Sequence, residues 1–230
     1  MKHNTNRHAS LFKRGMIIAI SLLSLILVCE LLLTHLHTLF DDSPYTAADF
    51  GIETLKSPYD KDGDGIDDYR DLLLSARAYV NTRPKYKSTY ESGGYPPEGM
   101  GVCTDVIWSA FQGAGYDLKA LIDADIAAHL DAYPAIRTPD PNIDFRRVRN
   151  LDVFFRRHAE PIPTDLSNLS AWQPGDIVLY ADHIAIVSDR RNKDGLPYII
   201  HHAGQPIYEE NALTRAPILA HYRWTPAAPS

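Results

Sequence analysis

The sequence predicts an α+β domain in which the helices come first along the chain and a small antiparallel sheet follows. Between residues 69 and 158, apolar side chains recur at steps of three and four residues, which is the periodicity of one helix face. Beyond residue 170, short apolar runs are separated by turn residues such as Pro174 and Gly175, which is typical of antiparallel strands. Helical segments followed by strand segments indicate the α+β class.

The predicted elements follow from this change of period. Leu72, Ala76 and Val80 mark the face of the first helix, and Gly113 and Gly115 end the second one. We expect helices over 69–83, from Cys103 to 113, over 118–130 and over 148–158. We expect strands over 177–180, 183–188, 198–202 and 218–224.

The N-terminal segment 1–40 predicts a signal anchor, that is, a transmembrane helix. Basic side chains precede Gly15, and the segment from Gly15 to Leu33 is apolar except for Glu30 near its end. Its length is close to the roughly 20 residues that span a bilayer. Acidic residues follow it, so the positive-inside rule predicts one pass through a bacterial inner membrane with the folded domain facing the periplasm. The alternative is a cleaved signal peptide and secretion.

An acidic run after this segment has the spacing of a calcium loop. Oxygen ligands recur at positions 1, 3, 5, 7, 9 and 12, and a glycine permits the sharp turn at position 6. The candidate ligands are Asp60, Asp62, Asp64, the backbone carbonyl of Ile66, Asp68 and Asp71. We expect one structural calcium ion, and the alternative is a solvated acidic turn that caps the next helix.

These features suggest a division into four parts: the anchor 1–40, a polar linker 41–58, a calcium-loop-like segment with its helix 59–83, and a hydrolase domain 84–230. The net charge of −6 gives the chain as a whole no electrostatic footprint for nucleic acid. The two cysteines are Cys29, inside the apolar segment, and Cys103. A disulfide between them is implausible, so Cys103 is either a reactive thiol or a small buried apolar side chain.

Cys103 stands where a helix is predicted to begin. A helix start lowers the pKa of a thiol, and its unpaired backbone N–H groups can stabilise an oxyanion. His183, at the start of a predicted strand, is the candidate base. Such a base is usually oriented by a third polar group, for which His201 and His202 are the candidates on the next strand. Strand alternation places these two on opposite faces, so only one can serve.

Several longer motifs extend this pattern. They are Gly101-Val102-Cys103-Thr104-Asp105-Val106, the segment from Pro141 to Val148, Pro174-Gly175-Asp176-Ile177-Val178, the segment from His183 to Asp189, and His201-His202-Ala203-Gly204. In these motifs and their order the chain resembles the bacterial DUF1287 family, which is grouped with the NlpC-type, papain-like cysteine peptidases. The resemblance implies a papain-like fold with the nucleophile at a helix start against the sheet. It also implies catalytic roles for Cys103, His183 and, by motif alignment, His201.

NlpC-type enzymes hydrolyse amide bonds of peptidoglycan stem peptides, so the resemblance implies an amidase or endopeptidase of cell-wall peptides that needs no catalytic cofactor. Arg146 and Arg147 could hold a substrate carboxylate through forked hydrogen bonds, or they could form ion pairs at a helix start.

Three other functions remain open. A zinc amidase would use His183, His201 or His202 and a carboxylate such as Asp182, although a recognised zinc spacing is missing. The other two are a non-catalytic wall-binding module and an acyl or thioester transferase with the same Cys–His pair.

Overall fold

The structure, a computed structural model, describes residues 45–226 together with Ser24 and Val28. The chain divides into two compact units, residues 1–43 and 44–230. In the described part of the second unit, helices precede an antiparallel sheet, which makes the domain α+β.

The helices lie close to the predicted segments. They are α1 (Asp68–Asn81), α2 (Cys103–Gly113), α3 (Leu118–Ala128) and α4 (Val148–His158). Helices α1 and α2 approach closely because Gly113 of α2 faces Ser75 of α1. A Cβ atom on Gly113 would lie 1.9 Å from the Ser75 hydroxyl oxygen, so a larger side chain would force the helices apart.

The strands of the described residues are β1 (Lys85–Tyr86), β2 (Met100–Gly101), β3 (Glu160–Pro161), β4 (Ile177–Leu179), β5 (Ile184–Arg191), β6 (Pro197–Ile200), β7 (Glu209–Glu210) and β8 (Ala220–Arg223). Six of them form the main sheet, in the order β3-β8-β4-β5-β6-β7, and every neighbouring pair is antiparallel. A short parallel pair, β1 with β2, stands apart from it. The four two-residue strands were not predicted, because two residues are too short to carry a periodicity.

Both faces of the sheet are covered. On one face, Ile177 and Ile186 pack against the four helices in the larger core. On the other face, Val178 and Val187 pack against Trp172 and other loop residues in a second core. Strand β4 is therefore apolar and buried at every position rather than at every second one, and β5 is so from Ile184 to Val187.

The predicted fold class requires a correction at the N-terminus. Among the described residues, no helix is both long enough and apolar enough to cross a membrane. The described residues support the α+β domain, and the predicted transmembrane helix is not shown. The segment 15–33, on which that prediction rested, lies outside the described residues apart from Ser24 and Val28.

The predicted linker 41–58 also requires correction from Tyr45 onward. The backbone of Tyr45 exchanges hydrogen bonds of 2.8 and 2.6 Å with Arg191 on β5. Further along, the Leu55 N–H donates to the side chain of Gln173 at 2.9 Å. The segment is polar and aperiodic because it follows the domain surface, and it is held there by backbone hydrogen bonds.

Candidate active site

Cys103 is the first residue of α2, and Val102 before it is extended. The thiol is 6% exposed and forms no disulfide. The Val102 N–H is occupied by a 2.7 Å hydrogen bond to the Asp105 carboxylate, which caps the helix start. Gly101 lets the backbone before Cys103 pass close to Tyr79. A Cβ atom on Gly101 would lie 1.9 Å from the phenol oxygen of Tyr79, so a larger residue would displace this turn.

The thiol is neutral in this environment. Burial raises the pKa of Cys103 to about 11, and the backbone N–H groups of Ile184 and Thr104 oppose that rise without cancelling it. The N–H of Ile184 thus lies against the sulfur, and His183 is the residue directly before it. No hydrogen bond joins Cys103 to His183, both of which are described.

His183 and His201 form a direct pair. The Nε2 atom of His183 lies 2.7 Å from Nδ1 of His201, with the two rings nearly perpendicular. The sheet register explains the contact: Ile186 pairs with Ile200, so Ala185 falls opposite His201 and His183 falls on the adjacent diagonal. Because His201 continues the face of Ile199, it is this residue and not His202 that reaches the ring of His183.

A carboxylate extends the pair. Nε2 of His201 lies 3.0 Å from Oε1 of Glu210, and Arg215 holds that carboxylate with contacts of 2.9 and 2.5 Å. Burial alone would raise the pKa of Glu210, but the hydrogen bond and charge of Arg215 leave it below its usual value. Glu210 is therefore ionised at neutral pH.

The ionised Glu210 determines the tautomers of both rings. It accepts a hydrogen bond from the Nε2–H group of His201, so Nδ1 of a neutral His201 carries no proton and accepts the hydrogen bond from His183. His183 then donates from Nε2, which leaves Nδ1 as its unprotonated nitrogen. Nδ1 of His183 has no hydrogen-bond partner among the described residues. The arrangement thus leaves one lone pair free on the imidazole of His183, the residue that precedes Ile184.

Both histidines are neutral at pH 7. Burial lowers the pKa of His183 to about 4, and the neighbouring His201 and His202 add to the effect. Burial also lowers the pKa of His201, although the charge of Glu210 acts in the opposite direction. The resting site therefore combines a protonated thiol with an unprotonated base rather than a thiolate–imidazolium pair.

Gln205 lies at the edge of this cluster. Its side-chain oxygen accepts from the Ala203 N–H at 2.6 Å, which orients its amide nitrogen toward His201. That nitrogen is 3.2 Å from both the carbonyl oxygen and Nε2 of His201. Because Nε2 already donates to Glu210, the amide of Gln205 donates to the carbonyl and holds the loop after β6.

Asp105 and Arg146 form a buried ion pair beneath the nucleophile turn. Arg146 donates from two nitrogens to the two oxygens of Asp105 at 2.7 and 2.8 Å, and both side chains are at most 1% exposed. It also donates to the backbone carbonyls of Thr89 and Gly94.

The predicted substrate role of Arg146 is therefore corrected, because its guanidinium is already occupied and buried. It forms the ion pair that was the alternative. Arg147, the other predicted substrate ligand, is exposed and lines a cavity of about 790 Å³. Arg137, Arg149 and Asp182 line the same cavity, and Asp182 directly precedes His183.

His202 has a packing role in this structure. It is fully buried, and its ring makes edge contacts with Tyr86 and Tyr208 at centroid distances of 5.0 Å. In the described part of the chain, the one group of acidic, histidine or cysteine side chains with converging ligand atoms is Asp60, Asp62 and Asp64. The histidines therefore do not assemble the zinc site that the amidase alternative requires.

The remaining calcium-loop residues separate into three environments. Ile66 is exposed on the loop. Asp71 is buried close to the loop carboxylates. Asp68 is turned away, since its oxygens accept from the Lys61 N–H at 2.9 Å and the Tyr116 hydroxyl at 2.5 Å.

Glu210 and Arg215 were missed by the sequence reasoning. Glu210 belongs to a two-residue strand, and Arg215 to an exposed loop, so neither lies in a recognisable motif. One signal in the sequence could have indicated Glu210. It is an acidic residue about nine positions after His201, which is far enough along the chain for a strand there to pair with β6.

These features define the class of protein: an α+β domain with a thiol at a helix start and two paired histidines on the adjoining sheet. The family model described as "Domain of unknown function (DUF1287)" matches residues 73–224, and the chain belongs to this family. The chain is similar to "Uncharacterized protein YijF" of Escherichia coli (strain K12), with 38% identity over 149 residues, 61% of this chain and 72% of that protein. No solved structure matches the chain.

Proposed function

We propose that this chain is a cysteine hydrolase of the NlpC-type, papain-like class that cleaves amide bonds in cell-wall peptides. The observation that carries the proposal is the 2.7 Å contact between His183 and His201, anchored on Glu210. The thiol at the start of α2 receives the backbone N–H of Ile184, the residue after His183. A nucleophile, a base and a group that orients the base are the parts that covalent acyl transfer requires.

In this proposal the proton moves when substrate binds. Cys103 gives its proton to Nδ1 of His183 as the sulfur attacks the amide carbonyl carbon, and the C–S bond forms. The N–H groups at the start of α2 stabilise the oxyanion. His183 then returns the proton to the leaving amine as the C–N bond breaks. Water, activated by the same imidazole, hydrolyses the thioester and restores the thiol.

The substrate class follows from charge. Stem peptides of the wall carry free carboxylates, and the cavity beside Asp182 presents the exposed arginines Arg147 and Arg149. We assign Arg147 and Arg149 as the groups that bind a substrate carboxylate through forked, charge-assisted hydrogen bonds. Since the wall lies outside the cytoplasm, the proposal also places the folded domain there.

Incubation of the full-length protein with purified muropeptides tests the proposal. Cleavage products are separated by chromatography and identified by mass spectrometry. We expect Cys103→Ser to lose the activity by about 10³-fold or more, as removal of a nucleophile does elsewhere. Cys29→Ser is the matched control, because it removes the other cysteine and should keep full activity.

Three outcomes would overturn the assignment. Equal product release by the wild type and Cys103→Ser would exclude a cysteine hydrolase. Loss of activity with a chelator and resistance to iodoacetamide would favour the zinc amidase. Transfer of an acyl group from a thioester or lipid donor, without muropeptide cleavage, would favour the acyltransferase.

A further inference from the structure

The loop that precedes α1 brings three carboxylates together. One oxygen atom from each of Asp60, Asp62 and Asp64 lies within 4.8 Å of the others, and all three side chains are exposed. Asp60 accepts hydrogen bonds from the N–H groups of Gly63 and Gly65 at 2.8 and 2.9 Å, so the loop is already closed around its own backbone. Exposed acidic clusters of this kind are common, and this one alone would not identify a ligand.

Asp71 supplies an independent observation. It lies in the first turns of α1, is 5% exposed, and its Oδ2 atom has no hydrogen-bond partner in the described structure. The charges of Asp64, Asp62, Asp68 and Asp60 all act on the carboxyl group of Asp71, which places this group near the loop. A buried carboxylate oxygen without a partner beside like charges is costly, and a cation between them would remove that cost.

The other donors also fit a hard cation. The carbonyl of Ile66 accepts no hydrogen bond from the described residues, so it is free to act as the ligand at position 7. Gly65, at position 6, has φ +92°, which only glycine adopts without strain. Every available donor is oxygen, and a flexible set of more than four oxygen ligands suits calcium better than magnesium.

We propose that Asp60, Asp62, Asp64 and Asp71, with the Ile66 carbonyl, bind one calcium ion. This ligand set differs from the sequence prediction in Asp68. The Oδ2 atom of Asp68 accepts from the hydroxyl group of Tyr116 in the domain interior, whereas Asp60 accepts from N–H groups of the loop itself and converges with Asp62 and Asp64. The site does not depend on the proposed hydrolase function.

The ion would fasten the loop to the helix that carries Cys103. Asp62 lies against Gly115 just after α2, where an added Cβ atom would be 3.0 Å from the Cβ of Asp62. Tyr116, three residues past the end of α2, donates to Asp68. Because Asp71 belongs to α1, calcium would link the start of α1 to the end of α2 and stabilise the folded domain.

Terbium luminescence tests the site directly. The full-length protein is freed of metal with chelator, terbium is added, and emission is excited through tyrosine, since Tyr59, Tyr69 and Tyr116 adjoin the loop. We expect a signal that calcium displaces with a Kd of about 0.1 to 1 mM, a range typical of extracellular calcium modules. Asp62→Asn and Asp64→Asn should each weaken calcium binding by about tenfold or more, whereas Asp194→Asn, in a distant exposed turn, should leave it unchanged.

Thermal unfolding separates Asp71 from the exposed cluster. At a free calcium concentration about one hundred times Kd, the melting temperature of the wild type should rise by about 5–10 °C. Asp71→Asn should abolish most of that rise and should stabilise the metal-free protein, because it removes a buried charge from a field of like charge. A wild type with no terbium signal and no calcium-dependent shift would overturn the site. Wild-type calcium affinity in Asp71→Asn would overturn the assignment of Asp71 as a ligand.

Discussion

Arg146 donates from two guanidinium nitrogens to the two carboxylate oxygens of Asp105, at 2.7 and 2.8 Å, directly beneath the turn that presents Cys103. Asp105 in turn caps the Val102 N–H and accepts from the indole of Trp108 at 3.1 Å. The position of the nucleophile therefore depends on a buried charge pair that does not itself face the substrate.

Removal of Arg146 should destabilise the domain strongly. Arg146→Ala leaves the buried carboxylate of Asp105 unpaired, which typically costs about 3–5 kcal/mol. Denaturant unfolding followed by circular dichroism measures the change. Arg147→Ala is the matched control: its side chain is exposed, so its free energy of unfolding should change by less than about 0.5 kcal/mol. If Arg147 binds a substrate carboxylate, Arg147→Ala should raise KM even though its stability is unchanged. Equal stabilities for the two variants would contradict the structural role of Arg146.

Glu210→Gln should disturb the tautomers of the paired histidines. The neutral amide no longer requires a proton on Nε2 of His201, so the free lone pair on Nδ1 of His183 is no longer assured. We expect kcat to fall by about 10- to 100-fold, part of what general-base catalysis contributes. Nitrogen-15 spectra of the imidazoles provide a readout independent of activity, and should show His183 protonated on Nε2 in the wild type.

Glu160→Gln, on the exposed strand β3, is the control for the Glu210 variant. It should leave both kcat and the imidazole spectra unchanged. Wild-type spectra in Glu210→Gln would mean that the carboxylate has no part in selecting the tautomers.

The alkylation of Cys103 should depend steeply on pH. Since the pKa of the thiol is raised to about 11, the reactive thiolate is scarce at pH 7 and becomes more abundant as the pH rises toward 11. The rate of modification by iodoacetamide in Cys29→Ser, where Cys103 is the remaining cysteine, should increase about tenfold per pH unit between pH 7 and 9. A rate that stays level from pH 5 to 8 would instead indicate a thiolate–imidazolium pair.

Gly101→Ala should be rescued by a change in Tyr79. The added Cβ atom would lie 1.9 Å from the Tyr79 hydroxyl oxygen, which has no hydrogen-bond partner within residues 45–226, but 3.3 Å from the ring carbon that bears it. Gly101→Ala alone should therefore lower the melting temperature by several degrees, about the effect of 1–3 kcal/mol of overpacking. Tyr79→Phe should cost little, and the double variant should recover most of the loss. Additive losses in the double variant would place the strain elsewhere.

The sequence by itself determined the class of the domain and the order of its main elements. Periodicity is a local property, so the helix over 148–158 and the start of α2 at Cys103 were predicted to within a residue or two. The free state of Cys103 also followed from the sequence, because Cys29 is the other cysteine. Capping of the helix start by Asp105 could also be predicted from the sequence, since the hydrogen bond joins residues only three positions apart.

Only the tertiary structure decided which polar groups meet. Motif alignment already favoured His201 over His202, but the contact of His201 with His183 depends on the register of β5 with β6, which is set by packing of the whole sheet. Glu210 joins the site through a two-residue strand, and Arg146 reaches Asp105 across forty-one positions of sequence. The same packing turns Asp68 toward Tyr116 and buries Asp71 beside the acidic loop. Long-range pairing depends on how the chain closes on itself, and the local pattern of residues does not contain that information.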